Sequence, residues 1–105
     1  VFPSFYEPFG IVALEAMSME RPVVVGAAGV SGMREIVTCC SEEQCGYHID
    51  PNNPSDIAWG ITSVLESPEK RKWLGKNGRK RVLNEFAWNR IAEKTVNLYE
   101  QLLKR

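Results

Sequence analysis

The chain has 105 residues, 44% hydrophobic and 25% charged, with a formal net charge of zero. That length fits one modest domain, and the apolar content excludes intrinsic disorder because it offsets the entropy of ordering. Zero net charge excludes a global field that would draw nucleic acid or acidic lipid, and no apolar run approaches the roughly 20 residues of a membrane span.

No charged-then-apolar leader opens the sequence. Three cysteines are an odd count, so reduced thiols in a cytoplasmic setting are expected. Val1 and Phe2, followed by Pro3 and Ser4, read as the end of a buried strand. The chain is therefore expected to be a single partial domain over 1–105, cut from a longer protein within or just after that strand.

The next element predicted is a helix over about Gly10 to Met19. Ile11, Leu14 and Met17/Ser18 define one side, and Val12, Ala16 and Met19 widen the stripe until most of the helix is apolar. Pro22 ends it. Pro22 to Gly26 (PVVVG) has the β-branched run of a parallel strand covered on both faces. Gly26, Gly29 and Gly32 predict a flexible loop, Met33 to Val37 a short helix, and "TCCSEEQC" an exposed polar segment. A short strand is expected over Gly46 to Asp50.

Asn53 then caps a helix with Pro54 in its first position and Asp56 near its positive end. Its inner face is Ile57, Ala58, Ile61, Val64 and Leu65. Ser67-Pro68-Glu69 repeats the start signal, and a basic helix follows to about Glu85, where Gly75 and Gly78 permit close packing. The last helix, Trp88 to about Lys104, is the most periodic. Trp88, Ile91, Ala92, Thr95, Val96, Tyr99, Leu102 and Leu103 share one stripe. Strands alternating with helices argue an α/β fold, here a partial Rossmann-like parallel sheet of about three strands in three α/β/α layers.

In such sheets ligands bind beyond the carboxyl ends of the strands. The stretch "YEPFG", Tyr6 to Gly10, is expected at that edge, just ahead of a helix N-terminus whose free amides and partial positive charge attract phosphate. Gly10 leaves its own amide and that of Ile11 unobstructed. Glu7 at the mouth is placed to accept hydrogen bonds from sugar hydroxyls. Glu15 lies five residues past Gly10, about 7.5 Å along the axis, within reach of a ribose beside a docked phosphate. Spacing alone favours reading both carboxylates as solvated surface groups, since two acids at a loose interval are a weak motif.

A fuller pattern changes that balance. "PSFYEPFGIVALEAMSMERPVVV", residues 3–25, resembles the signature of retaining GT-B-fold glycosyltransferases of family 4, with two glutamates separated by seven residues as its hallmark. The likeness continues through "GVSGMREIV" (29–37), "GYHIDPNNPSDIAWGI" (46–61) and "FAWNRIAEKTVNLYEQLL" (86–103). The resemblance implies the C-terminal part of a GT-B donor-binding domain. Glu7 would be the catalytic residue that meets the donor sugar. Phe9, Gly10 and Ile11 would present backbone amides to sugar and diphosphate. Glu15 would bind the ribose, with Leu14 packed beside it. The nucleotide-sugar donor is a substrate, and the resemblance implies neither a cofactor nor a metal.

The resemblance also implies that the phosphate-gripping basic residues, the base pocket and the acceptor site precede Val1, in an N-terminal domain of the same chain. The segment alone is then expected to be inactive. Its exposed cut edge and last helix are expected to favour self-association, and peripheral contact of the parent with the inner membrane face stays open. Two departures stand out. The family usually has a small residue and a glycine where Glu20 and Arg21 stand, so a different helix-stop geometry is expected. Ala87 replaces the Ser or Thr usual before Trp88, with a lost cap costing about 1 kcal/mol.

Other groupings read as structural. Cys39, Cys40, Cys45 and His48 are enough ligands for zinc, but their irregular spacing reads as ordinary thiols and a surface histidine. Glu69 to Arg81 holds seven basic residues, spread around the helix as on a solvated face, with Trp73, Leu74, Val82 and Leu83 buried. Trp59, Trp73 and Trp88 read as core or interface packing rather than sugar platforms. The rival functional class is a non-catalytic basic module that binds nucleic acid or an anionic surface through Lys70 to Arg81. A closer rival is another GT-B activity, a phosphorylase or a sugar-nucleotide epimerase.

Overall fold

The computed structural model describes residues 1–104. In chain order it contains β1 (Tyr6–Glu7), α1 (Ile11–Ser18), β2 (Val23–Gly26), β3 (Val30–Ser31), α2 (Met33–Ile36), β4 (Gly46–Ile49), α3 (Pro54–Leu65), α4 (Pro68–Arg81) and α5 (Trp88–Leu103). A single π-helical turn, Val82–Phe86, joins the last two helices.

β2 and β4 pair in parallel, Val23 opposite Gly46 through Gly26 opposite Ile49. Phe2 adds a parallel bridge to Val25 on the other side of β2. Its N–H donates to the Val24 carbonyl at 2.8 Å, and its carbonyl accepts from Gly26 N–H at 2.9 Å. The apolar opening pair therefore does lie along the sheet. The expected sheet of about three strands is found as a two-stranded parallel sheet, β2 with β4, to which Phe2 adds only a bridge, because the chain before β1 pairs through a single residue. A second parallel pair, β1 with β3, was not foreseen in the sequence.

Parallel pairing explains the run of valines. Val23 and Val25 pack with Ala13, Met17, Met33, Ile36, Val37 and Cys45. Val24, one residue out of phase, packs with Tyr47, Ile49 and Leu74 on the other face. A strand covered on both faces has no polar side to show, hence its unbroken hydrophobicity.

α1 turns a different side inward from the one expected. Its buried residues are Ala13 and Met17, while Ile11, Val12 and Met19 are exposed. An almost uniformly apolar helix carries no periodicity from which its rotation can be read. α4 packs tightly across the C-terminal end of α1. A Cβ on Gly75 would stand 2.2 Å from the Glu20 carbonyl oxygen, so only glycine permits that approach. The side expected to be buried on α4 is only partly so. Leu74 is fully buried, but Trp73 and Leu83 are about half exposed.

Candidate functional site

The mouth of α1 is assembled from two strand ends. β1 carries Glu7 out of the first strand, and β3 follows β2. Their pairing sets Glu7 beside Ser31. The Gly32 N–H donates to the Glu7 carbonyl at 2.7 Å, and the Ser31 hydroxyl donates to the Gly26 carbonyl at 2.8 Å. The glycine-rich loop that the sequence presents as flexible is thus a brace under the Glu7-Pro8-Phe9-Gly10 turn. The serine and glycine of "GVSGM" were the available signal for it, since a short ladder of two residues leaves no periodicity to detect.

Gly10 has φ 100 and ψ 51, in the left-handed region. A Cβ there would stand 2.6 Å from Met33 Cγ, so the missing side chain would run into the core. The same construction puts Glu7 Cγ 3.6 Å away, which places the half-buried Glu7 directly against the helix start. No side chain caps α1. Among the described residues the backbone amides of Gly10, Ile11 and Val12 donate to no other backbone group. α3 and α4 differ here, because Asn53 and Ser67 cap them. A free, positively polarised helix end is what an anion needs.

Glu15 is exposed one helical turn beyond Ile11, and those two residues share the outward face of α1 with Val12. Leu14 is partly buried against the cluster under the sheet. Phe9 is 47% exposed and packs edge-on against Phe86, ring centroids 6.4 Å apart. Phe86, in the π-helical turn, was not anticipated as a neighbour of this loop. The structure thus gathers Glu7, Phe9, Gly10 and Ile11 at one helix end, with Glu15 along the outer face.

The other constellations do not assemble. Among the described residues no three His, Cys, Asp or Glu side chains come together as a metal site. The Cys39 and Cys40 sulfurs are 3.2 Å apart, Cys45 is buried, and His48 Nε2 donates to the Val37 carbonyl at 2.7 Å. The three tryptophans are not core residues, being 52%, 41% and 86% exposed at positions 59, 73 and 88. The basic helix is partly committed to structure. Arg79 donates to the Ser18 carbonyl, Arg81 to the Ile36 and Glu35 carbonyls, and Lys70 lies over the Tyr47 ring. No helix of the described residues is long and apolar enough to cross a membrane.

Comparison with known proteins bears on the same residues. The chain is 45% identical over 95% of its length to an uncharacterized glycosyltransferase of Methanocaldococcus jannaschii, covering 24% of that protein. It is 33% identical over 98% of its length to the MMP alpha-(1->4)-mannosyltransferase of Mycolicibacterium hassiacum, again covering 24% of it. In structure it matches sucrose-phosphate synthase from Thermosynechococcus elongatus with a TM-score of 0.80 and 41% identity, over 97% of this chain and 24% of that one. The chain therefore spans about a quarter of the length of these relatives. A match to the glycosyl transferases group 1 family runs over residues 1–81, from the first strand to the end of α4, and includes Glu7, Gly10 and Glu15. With most of its length inside that match and relatives well above 30% identity across it, the chain belongs to the glycosyl transferases group 1 family, the retaining GT-B glycosyltransferases.

Proposed function

We propose that this chain supplies the donor-binding part of a retaining glycosyltransferase active site, and that a nucleotide sugar is its ligand. The observation that carries the reading is the uncapped N-terminus of α1 with Glu7 against it and Glu15 on the outward face. In this reading the diphosphate docks on the amides of Gly10 and Ile11. Those amides lie ahead of where negative charge grows as the nucleotide departs, and their fixed dipoles need no reorganisation at that moment. Glu7 accepts hydrogen bonds from the donor sugar beside the reacting carbon. Glu15 takes the ribose hydroxyls, and Leu14 and Phe9 hold the helix and loop in place. The acceptor and the rest of the catalytic machinery fall to the parent protein, of which this chain is proposed to be a C-terminal part.

Calorimetric titration of the chain with UDP-, GDP- and ADP-sugars tests this. Glu15→Ala is expected to weaken the donor that binds by about tenfold or more, the usual effect of losing hydrogen bonds to a charged group. Replacing Lys76 and Lys80 with glutamine should leave that binding unchanged. Donor binding indifferent to Glu15, together with salt-sensitive binding of polyanions lost in the lysine variant, would instead assign the chain to the basic-module class.

A further inference from the structure

A cavity of about 480 Å³ lies at the opposite end of α1, lined by Met19, Glu20, Arg21, Pro22, Arg71 and Lys72. Its distance from the Gly10 amides is about the length of α1, eight residues or roughly 12 Å. It opens at the amino edge of the sheet, where β2 begins, and shares no residue with the proposed donor site.

Three of its six lining residues are cationic. Among the described residues none of the three enters a salt bridge or a side-chain hydrogen bond, and Glu20 is not within ion-pair distance of them. Arg71 is nevertheless half-buried. A bland explanation would have these cations neutralise the negative end of α1. The carbonyls there are already taken, however. Ala16 accepts from the amides of Met19 and Arg21, Met17 from Glu20, and Ser18 from the Arg79 guanidinium. Arg21, Arg71 and Lys72 are left surrounding a cavity with no internal partner.

We propose that this cavity binds a phosphate group, its oxygens held by the Arg21 and Arg71 guanidinium groups and the Lys72 ammonium. Paired guanidinium forks suit a tetrahedral dianion, which they meet with two parallel hydrogen bonds each. The cavity is larger than a bare ion requires and falls in the range of small-ligand sites. Met19 and Pro22 give it an apolar wall, and Glu20 an acceptor for hydroxyls. Glu20 is also held at φ 58, a left-handed conformation unfavourable to any residue but glycine. The phosphate belongs to a small soluble phosphomonoester or to a lipid headgroup that ends in a phosphomonoester, and both would present the same dianion.

A residue-resolved NMR titration of the chain with inorganic pyrophosphate at constant ionic strength tests the proposal. Saturable shifts are expected at the amides of Arg21, Arg71 and Lys72, distinct from any at Gly10 and Ile11. R71Q/K72Q is expected to weaken that binding about tenfold, and K76Q/K80Q, the same charge loss on exposed positions of the same helix, less than about twofold. If circular dichroism shows R71Q/K72Q unfolded, R21Q at its exposed position serves instead, with a loss of about threefold. Absence of saturable shifts near the cavity, or equal loss in the two double variants, overturns the proposal. Sedimentation with vesicles containing phosphatidic acid separates the two sources. Vesicle binding that pyrophosphate displaces and R71Q/K72Q abolishes marks a lipid headgroup. Saturable pyrophosphate binding without vesicle binding marks a soluble phosphate compound. Because the readout is local to the amino edge, its failure leaves the donor site untouched, and the reverse holds.

Discussion

Glu20 occupies the position after the α1 C-cap with φ 58, where glycine is the residue of lowest cost. The Glu20 N–H donates to the Met17 carbonyl at 3.0 Å and the Arg21 N–H to the Ala16 carbonyl at 3.1 Å, the two bonds of a Schellman motif. The different stop geometry expected from the missing glycine is therefore not found. Two backbone bonds and the close approach of Gly75 hold the left-handed turn even with a side chain present. Glu20→Gly is expected to stabilise the chain by about 1 kcal/mol, measured by urea denaturation, because it removes the left-handed penalty. Cys45 offers a second test. Burial pushes its thiol above the ordinary value of 9.0. Above that pH the unfolded chain releases the proton while the folded chain keeps it, so rising pH favours unfolding. Stability should be level with respect to this group below pH 9 and fall above it. In Cys45→Ala the fall between pH 9 and 10 should be smaller, as read from denaturation midpoints.

Among the elements, α3 and α5 show what a cap contributes. Asn53 Oδ1 accepts from the amides of Ser55 at 3.0 Å and Asp56 at 3.3 Å, and Pro54 takes the first position. That start was fully legible, because capping chemistry is local. α5 begins at Ala87, which has the extended backbone of a cap, φ −64 and ψ 143, but no side chain to accept. Ala87→Ser should add the missing bond, stabilising α5 by about 0.5–1 kcal/mol and raising helicity by circular dichroism. The basic helix was expected to run on to about Glu85. Instead α4 gives way to the π-helical turn at Val82, and the Ala87 N–H donates to the Val82 carbonyl at 2.9 Å, five residues back. The extra residue turns Phe86 toward Phe9, with Arg81 over its ring at 5.4 Å. Nothing in the residues of that turn announces it, and its Phe86 meets a residue more than 70 positions away.

At the scale of the whole molecule, stability is uneven. β2 is buried along its length and belongs to both apolar clusters, whereas no residue of α5 is buried. α5 leans on the π-helical turn and leaves Trp88, Leu102 and Leu103 in solvent at 86%, 51% and 86% exposure. Its stripe is the most regular in the sequence, and regularity of that kind predicts an inward face. Among the described residues nothing buries it. Two exposed ion pairs, Lys94 with Glu85 and Arg90 with Glu93, add little. Amide hydrogen exchange should therefore be at least about 100-fold faster along α5 than along β2.

By itself the sequence determined the five helices in order, the strands β2 and β4, the caps of α3 and α4, and the pair of glutamates whose pattern resembles a family signature. All of these rest on neighbours in the chain, or on a pattern of residue types at fixed intervals. Only the tertiary structure decided which face of α1 is buried, that Gly10 is needed by Met33, and that the loop before α2 braces Glu7. It also decided that Arg21 meets Arg71 and Lys72 around one cavity. The physical reason is common to these. Each depends on parts of the chain that are distant in sequence, and a helix apolar all round, a two-residue ladder or a scattered set of cations carries no period to reveal its partner.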